Sequence, residues 1–99
     1  KFKNIMLIDI KKINNNEFRV VVKKKTITEH VVVLSDKTVK KLTKNLKTKE
    51  ELLMFSFEFL LEKEDNTSIL RTFELSEISR YFPDFSCYIE KWLKLKVKI

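Results

Sequence analysis

The chain has 99 residues, a formal net charge of +7 and no glycine. This length predicts one domain with a single modest core. The lack of glycine excludes the P-loop, the dinucleotide-binding fingerprint and the nucleophile elbow, because each requires a backbone position that a Cβ atom would block. One His and one Cys exclude a two-histidine or two-cysteine metal site and an internal disulfide. We therefore expect no cofactor, no metal and no enzymatic activity.

The composition is that of a folded, water-soluble domain. Apolar residues make up 43% of the chain, which is too many for a disordered protein. The longest apolar run, residues 52–61, is interrupted by Ser56 and Glu58 and is shorter than the ~18 residues of a membrane span. We expect no membrane partner, and the single cysteine favours a reducing cytoplasm.

The positive charge is segregated along the chain. Residues 1–49 carry a net charge of +10, residues 50–90 carry −7 and residues 91–99 carry +4. Lysine greatly outnumbers arginine in a chain that also lacks glycine and alanine, as in proteins from AT-rich coding sequences. This bias weakens the net charge as an indication of nucleic-acid binding, for which arginine and exposed aromatic residues are typical.

The first third of the chain predicts three strands. The runs are residues 5–10, the alternating segment 18–22, and the β-branched segment 26–34. Asparagines at 14–16 and lysines at 23–25 supply the breaks, and such short connections require antiparallel neighbours. Residues 20–22 and 31–33 are all valine, so both faces of this sheet carry apolar groups. Either helices cover more than one face, or a partner does.

The next segments predict helices. Ser35 or Asp36 is suited to cap a helix with Val39, Leu42 and Leu46 on its apolar side. The opposite side would carry the lysines Lys37, Lys40, Lys41, Lys44 and Lys47.

A capping box at residues 48–51 opens a second helix, residues 49–64, which is apolar nearly all round. We expect this second helix to be the central core helix, packed on the sheet and contacted by other helices.

The last third reads as short helical pieces. Residues 65–68 offer several caps, Ser76 is suited to cap a turn carrying Ile78 and Tyr81, and Pro83 marks a boundary. Phe85, Ile89, Trp92 and Leu93 form one stripe of a final helix. Residues 93–99 alternate apolar and Lys residues, which predicts an extended basic tail. The prediction is a single α+β domain over residues 1–99: a three-stranded antiparallel meander (about 3–35) followed by three to four helices (about 36–94).

Several linked motifs carry a resemblance to a known group of proteins. They are FEFLLEKE at 57–64, SILR at 68–71, FEL at 73–75 and RYFPD at 80–84. In this order they resemble a family of short bacterial proteins of unknown function, whose shared run is close to FLLERE..SIL..FDL..I.RYFPE and is preceded by a segment like residues 28–30. The resemblance covers roughly residues 28–84. The resemblance implies an α+β fold and a bacterial origin, and it points to no particular activity.

Three sets of side chains are candidates for chemistry. His30 beside Glu29 has the residue types of an acid–base pair, but neighbours in a strand point to opposite faces, so we favour a structural histidine. Cys87 lies in the first turn of a predicted helix, where free amides favour a thiolate, and we expect it to be exposed and not catalytic. Glu51, Glu58 and Glu62 share a face that we interpret as solvated.

Two sets of residues are candidates for an interaction surface. The lysine face is suited to track a phosphate backbone, but we favour a solvated helix face, because no Arg or aromatic residue interleaves the lysines. Arg71, Arg80 and Tyr81 stand out because arginine is scarce in this chain. We favour burial in ion pairs with Glu74, Glu77 or Asp84 as the explanation for the two arginines.

These observations give a ranked set of functional hypotheses. The first is a non-enzymatic protein–protein interaction or self-association module, such as a homodimer that pairs its basic and acidic halves. The second is sequence-independent nucleic-acid binding through the lysine face and the basic tail. The third, an enzyme using His30, Cys87 or the glutamates, requires a pocket that brings two of these side chains together.

Overall fold

The structure is a computed structural model that describes residues 7–94. Three strands are followed by two helices, a short fourth strand and two further helices: β1 Leu7–Asn14, β2 Glu17–Lys23, β3 Ile27–Val33, α1 Asp36–Thr43, α2 Lys49–Lys63, β4 Thr72–Glu74, α3 Ile78–Tyr81 and α4 Phe85–Lys94. Single 3₁₀ turns, Asn66–Ser68 and Leu75–Glu77, flank β4. The predicted α+β class is confirmed, with one strand more than expected.

The first three strands form the predicted antiparallel meander. Ile8 pairs with Val22 between β1 and β2, and Val20 pairs with His30 between β2 and β3. At the first turn the backbone N–H of Asn16 donates to Asn14 Oδ1 at 2.9 Å, which is the side-chain turn expected where glycine is lacking. β1 extends four residues beyond the predicted run 5–10, and a bulge lets it reach the turn.

The prediction that the last third is wholly helical is wrong. β4 adds to the sheet beside β3 and runs parallel to it, with Val32 opposite Phe73. The sheet order is β1-β2-β3-β4. A three-residue strand is too short to show a period of two, so only the tertiary pairing reveals it. The predicted caps at residues 65–68 begin a 3₁₀ turn, and Ser76 lies inside another instead of capping α3.

The first helix is shorter than predicted. Ser35 caps it, since its side chain accepts a hydrogen bond from the N–H of Thr38, but α1 ends at Thr43. Lys44 and Asn45 follow with φ angles of 56° and 62°, in the left-handed region that disfavours residues with a Cβ atom. Leu46 therefore lies outside the helix and is 64% exposed, not buried as expected.

The second helix is the predicted core helix. Its capping box is complete: the Glu51 N–H donates to Thr48 Oγ1 at 3.0 Å, and the Thr48 N–H donates to Glu51 Oε1 at 2.9 Å. One side of α2 packs on the sheet through Leu53 and Phe57, which belong to one buried cluster with Val20, Val22 and Val32 of the strands.

The other side of α2 packs against α4. The Phe55 ring stacks on Trp92 with centroids 4.2 Å apart, and the Phe59 ring lies 5.0 Å from Phe85. These pairs make the two helices antiparallel, because the earlier residue of α2 meets the later residue of α4. The predicted stripe of α4 is confirmed, with Phe85, Ile89 and Leu93 buried and Trp92 partly buried. Helices on one side and the sheet on the other explain why α2 is apolar nearly all round.

Pro83 separates α3 from α4, as predicted. Phe82 has φ −132° and ψ 87°, a conformation outside the helical region, as expected of a residue that precedes proline. The predicted extended tail over residues 93–99 is wrong at its start, because Leu93 and Lys94 belong to α4. Its other residues, 95–99, lie outside the described range.

The turn after α1 gives a test of backbone strain. Replacing Lys44 with glycine removes a left-handed Cβ penalty of about 1 kcal/mol but increases the entropy of the unfolded chain by about half of that. We expect Lys44→Gly to raise the free energy of unfolding slightly, by up to about 0.5 kcal/mol. The matched change Lys40→Gly, inside α1, is expected to lower it by about 1 kcal/mol. Urea denaturation of both variants measures the difference, and equal losses would contradict the left-handed assignment.

Candidate functional site

One face of the sheet is covered by no helix within residues 7–94. Alternate residues of β2 and β3 point away from the core, and three of them are the valines Val21, Val31 and Val33. Each is only partly buried, whereas Val20, Val22 and Val32 on the core side are fully buried. The valine triplets thus place apolar side chains on both faces, as expected from the sequence. We call the uncovered side the open face.

The strand register arranges the open face in four rows that cross the strands. The rows alternate in charge: the first and third are basic, and the second and fourth are acidic. The first row is Leu7, Lys23 and Ile27; the second is Asp9, Val21 and Glu29; the third is Lys11, Arg19, Val31 and Thr72; the fourth is Asn14, Glu17, Val33 and Glu74. Within one chain, Lys23 Nζ lies 3.4 Å from Asp9 Oδ2, an ion pair between the first two rows.

Both edges of the described sheet are poor templates for a further strand. β1 carries Lys11 and Lys12 and a bulge before Asn14, and β4 has only three residues. Edge lysines, bulges and short edge strands are the devices by which proteins prevent edge-to-edge pairing. Pairing of a further strand is therefore disfavoured at both described edges.

A groove lies on the opposite side of the molecule, between the end of α2, the segment before β4, and α3. Its volume is about 200 Å³. Six apolar side chains line it: Leu60, Ile69, Leu70, Phe73, Ile78 and Phe82. Its remaining lining is Glu64, Ser68, Glu77 and Tyr81, and the most exposed members are Leu70 at 47% and Tyr81 at 63%.

The scarce arginines are not held in ion pairs by the described residues. Arg71 and Arg80 are exposed, and the four ion pairs within residues 7–94 involve only lysines. Asp84, one of the expected partners, binds Lys63 at 3.2 Å instead. The ion-pair explanation of the arginines is therefore wrong for residues 7–94. Of the predicted trio, Tyr81 alone lines the groove.

The predicted single lysine face is divided by the early end of α1. Lys37, Lys40 and Lys41 lie on the helix and are exposed, while Lys44 caps its end in the left-handed conformation. Lys47 lies in the following turn, and its Nζ sits over the Trp92 ring at 4.6 Å from the centroid. None of these five lysines forms an ion pair with a carboxylate of the described chain.

His30 is buried in a chain of hydrogen bonds that joins four segments. Its Nδ1 lies 2.8 Å from the Leu70 carbonyl oxygen, and its Nε2 lies 2.8 Å from Thr28 Oγ1. Asn66 Nδ2 donates both to Thr28 Oγ1 and to the Thr26 carbonyl oxygen, each at 2.9 Å. The imidazole also packs 5.4 Å from the Phe57 ring.

The partners determine the protonation state of His30. A carbonyl oxygen only accepts, so Nδ1 carries the proton and donates to Leu70. Nε2 then accepts from the Thr28 hydroxyl, whose oxygen accepts from Asn66. This neutral form satisfies every group, whereas a protonated ring would leave the Thr28 hydroxyl hydrogen without this acceptor. Burial lowers the pKa of His30 below its ordinary value of 6.5. The hydrogen bond to Leu70 acts in the opposite direction and raises this pKa, and the nearby charge of Arg71 lowers it.

The proposed chemical constellations do not assemble within the described chain. Both ring nitrogens of His30 are occupied, and Glu29 is exposed on the opposite face. Cys87 is a free, exposed thiol, as expected. Glu51, Glu58 and Glu62 are exposed, and no group of three His, Cys, Asp or Glu residues in the range 7–94 is placed to hold a metal ion. No helix in that range is long and apolar enough to cross a membrane.

Comparison with protein-family models, curated proteins and solved structures gives no match for this chain. The candidate sites therefore rest on geometry. The groove is the site that the sequence did not indicate. Its carboxylates, Glu64 and Glu77, come from two elements, and nothing in their spacing suggests that they would share a cavity.

The buried histidine gives a pH-dependent stability. Because the pKa of His30 is lower in the folded chain than its unfolded value of about 6.5, the unfolded chain binds more protons than the folded chain as the pH falls through 6.5. We expect the free energy of unfolding to fall as the pH is lowered through 6.5, by at most about 1.4 kcal/mol per pH unit, and to level off above about pH 7.5. Urea denaturation at several pH values measures this slope.

Two further measurements separate His30 from other groups. His30 is the single histidine, so its imidazole protons report the folded-state pKa directly in a proton NMR titration. In the His30→Gln variant, which keeps an amide donor and an acceptor, the slope between pH 6.5 and 5.5 should disappear even if overall stability falls. An imidazole that titrates at or above 6.5 would contradict this account.

Proposed function

We propose that the chain is a non-enzymatic self-association module in which two copies pack through the open face. The observation that supports this most strongly is the alternation of charge between the rows of that face. A bacterial origin and a cytoplasmic location fit the resemblance of residues 28–84 and the single free cysteine, Cys87.

The row pattern selects one arrangement of the two copies. In this arrangement the two-fold axis is parallel to the rows and lies between the second and third rows. Each strand then faces the same strand of the partner, running in the opposite direction. The acidic second row then faces the basic third row, and the first row, with Lys23, faces the fourth, with Glu17. An axis parallel to the strands would instead place each row on itself, with carboxylates against carboxylates. Only the first arrangement satisfies the charges, as an isologous interface requires.

The apolar residues of the open face meet in the same arrangement. Ile27, which is 64% exposed, comes over the partner's Val33, and Val31 comes beside the partner's Glu29. Arg19 comes over the partner's Val21, between the partner's Asp9 and Glu29. Two aligned sheets pack about 10 Å apart and about 30° from parallel, so these are neighbourhoods of contact rather than fixed pairs.

A charge exchange on the open face tests this proposal. Arg19→Glu places a carboxylate beside two partner carboxylates, twice in each dimer, and we expect it to weaken dimerisation at least about tenfold. Adding Glu29→Arg restores opposite signs at the two positions and should restore most of the affinity. Sedimentation equilibrium should span roughly 5 to 500 µM, the range over which a weak homodimer dissociates.

The matched control for this exchange is Arg80→Glu, the same change on the exposed surface of α3. We expect this control to dimerise like the parent chain, and circular dichroism checks that each variant folds. A parent chain that is monomeric at 500 µM would reject the proposal. So would a dimer that Arg80→Glu disrupts and Arg19→Glu does not.

Nucleic-acid binding is the second candidate, supported by the exposed lysines of α1, which form no ion pair within residues 7–94. Lys91 and Lys94 of α4, which packs against α1, are also exposed. Fluorescence anisotropy with labelled single- and double-stranded DNA tests it. We expect binding to weaken between ~50 and ~200 mM salt and to weaken further in Lys40→Glu/Lys41→Glu. The same change at Lys11 and Lys12, on β1, is the control, and no binding at ~50 mM salt would eliminate this candidate.

A further inference from the structure

The groove has the size and the lining of a pocket for one large apolar side chain. Its volume of about 200 Å³ exceeds the ~150 Å³ of an apolar cavity that takes up benzene. Buried or partly buried Leu60, Ile69, Phe73, Ile78 and Phe82 form its walls. Leu70 and Tyr81 stand at its rim and remain largely exposed, so an occupant would cover apolar surface that water now contacts.

The carboxylates at the groove indicate the charge of the occupant. Glu64 ends α2 and Glu77 precedes α3, and both are partly buried. No cation of the described chain lies within ion-pair distance of either one. A carboxylate beside an apolar wall is less screened than one in open water, so a cation placed there is held more firmly.

We propose that the groove binds an extended basic peptide segment of a partner protein, with a large apolar side chain in the pocket and flanking lysines on Glu64 and Glu77. In an extended segment, residues two positions apart point to the same side, so lysines two residues before and after the apolar residue face the groove together with it. In this mode of binding, a hydrophobic anchor residue fills the pocket and charged neighbouring residues contribute specificity.

The peptide KSFSK carries this pattern, because its phenylalanine and its two lysines share one side of an extended chain. It is therefore a suitable probe for the groove.

Fluorescence anisotropy of a labelled KSFSK peptide, titrated with the full chain, tests the proposal. We expect saturable binding of this peptide and none of ESFSE, which keeps the phenylalanine and reverses the charge. Glu64→Gln/Glu77→Gln should weaken binding about tenfold, as expected when two partly buried ion pairs are lost. Glu58→Gln/Glu62→Gln, on the exposed stripe of α2, is the matched control and should bind as the parent does.

A second pair of variants tests the apolar part of the site. Leu70→Ala, at the rim, should weaken binding severalfold, whereas Leu46→Ala, also exposed but after α1, should leave it unchanged. Both positions are exposed, so neither change threatens the core. The proposal is overturned if KSFSK fails to bind at ~1 mM, or if the groove variants bind it as well as their controls. Repeating the titration with Arg19→Glu separates this site from the open face, since groove binding should survive the loss of self-association.

Discussion

The hydrogen bonds of His30 are the constraint on which the second half of the structure depends. A buried imidazole with two fixed partners holds the Leu70 carbonyl against β3, at a position 40 residues later in the chain. One residue on, the Val31 N–H donates to the Arg71 carbonyl at 2.7 Å, and β4 follows. The same segment supplies Ile69 and Leu70 to the groove. The buried histidine thus positions residues of the groove, although it does not line the groove itself. Its burial is compatible with stability because each of its polar atoms is hydrogen-bonded.

The two faces of the sheet obey different constraints. On the core side, α2 is enclosed by the strands and by α4, and this enclosure requires apolar residues around nearly its whole circumference. On the open face, valines lie between charged rows, so no long apolar patch is presented to water. In the self-association that we propose, the charges of this face specify the orientation of the second copy better than its apolar area would.

Periodicity predicted most of this fold and little of the groove. The meander, the capping box at Thr48 and the α4 stripe follow from local residue patterns, and all three are confirmed. The early end of α1 was missed because apolar spacing continues to Leu46, although Lys44 and Asn45 leave the helix in left-handed conformations that glycine usually supplies. β4 was missed because it forms only through its partner β3. The groove follows from β4 and α3, so it could not be predicted without them.

The parallel pairing of β3 with β4 also orders events in folding. Strands β1 to β3 are joined by short turns, so their contacts close small loops at little entropic cost. The fourth strand joins only after α1 and α2 have been placed between it and β3, and this closure spans some 40 residues. The meander therefore has the local contacts of an early nucleus, and the edge that carries β4 belongs to the last stage of assembly. In native-state hydrogen exchange, the amides of β4 should open at lower free energy than those of β2, and the groove would come apart while the meander stays intact.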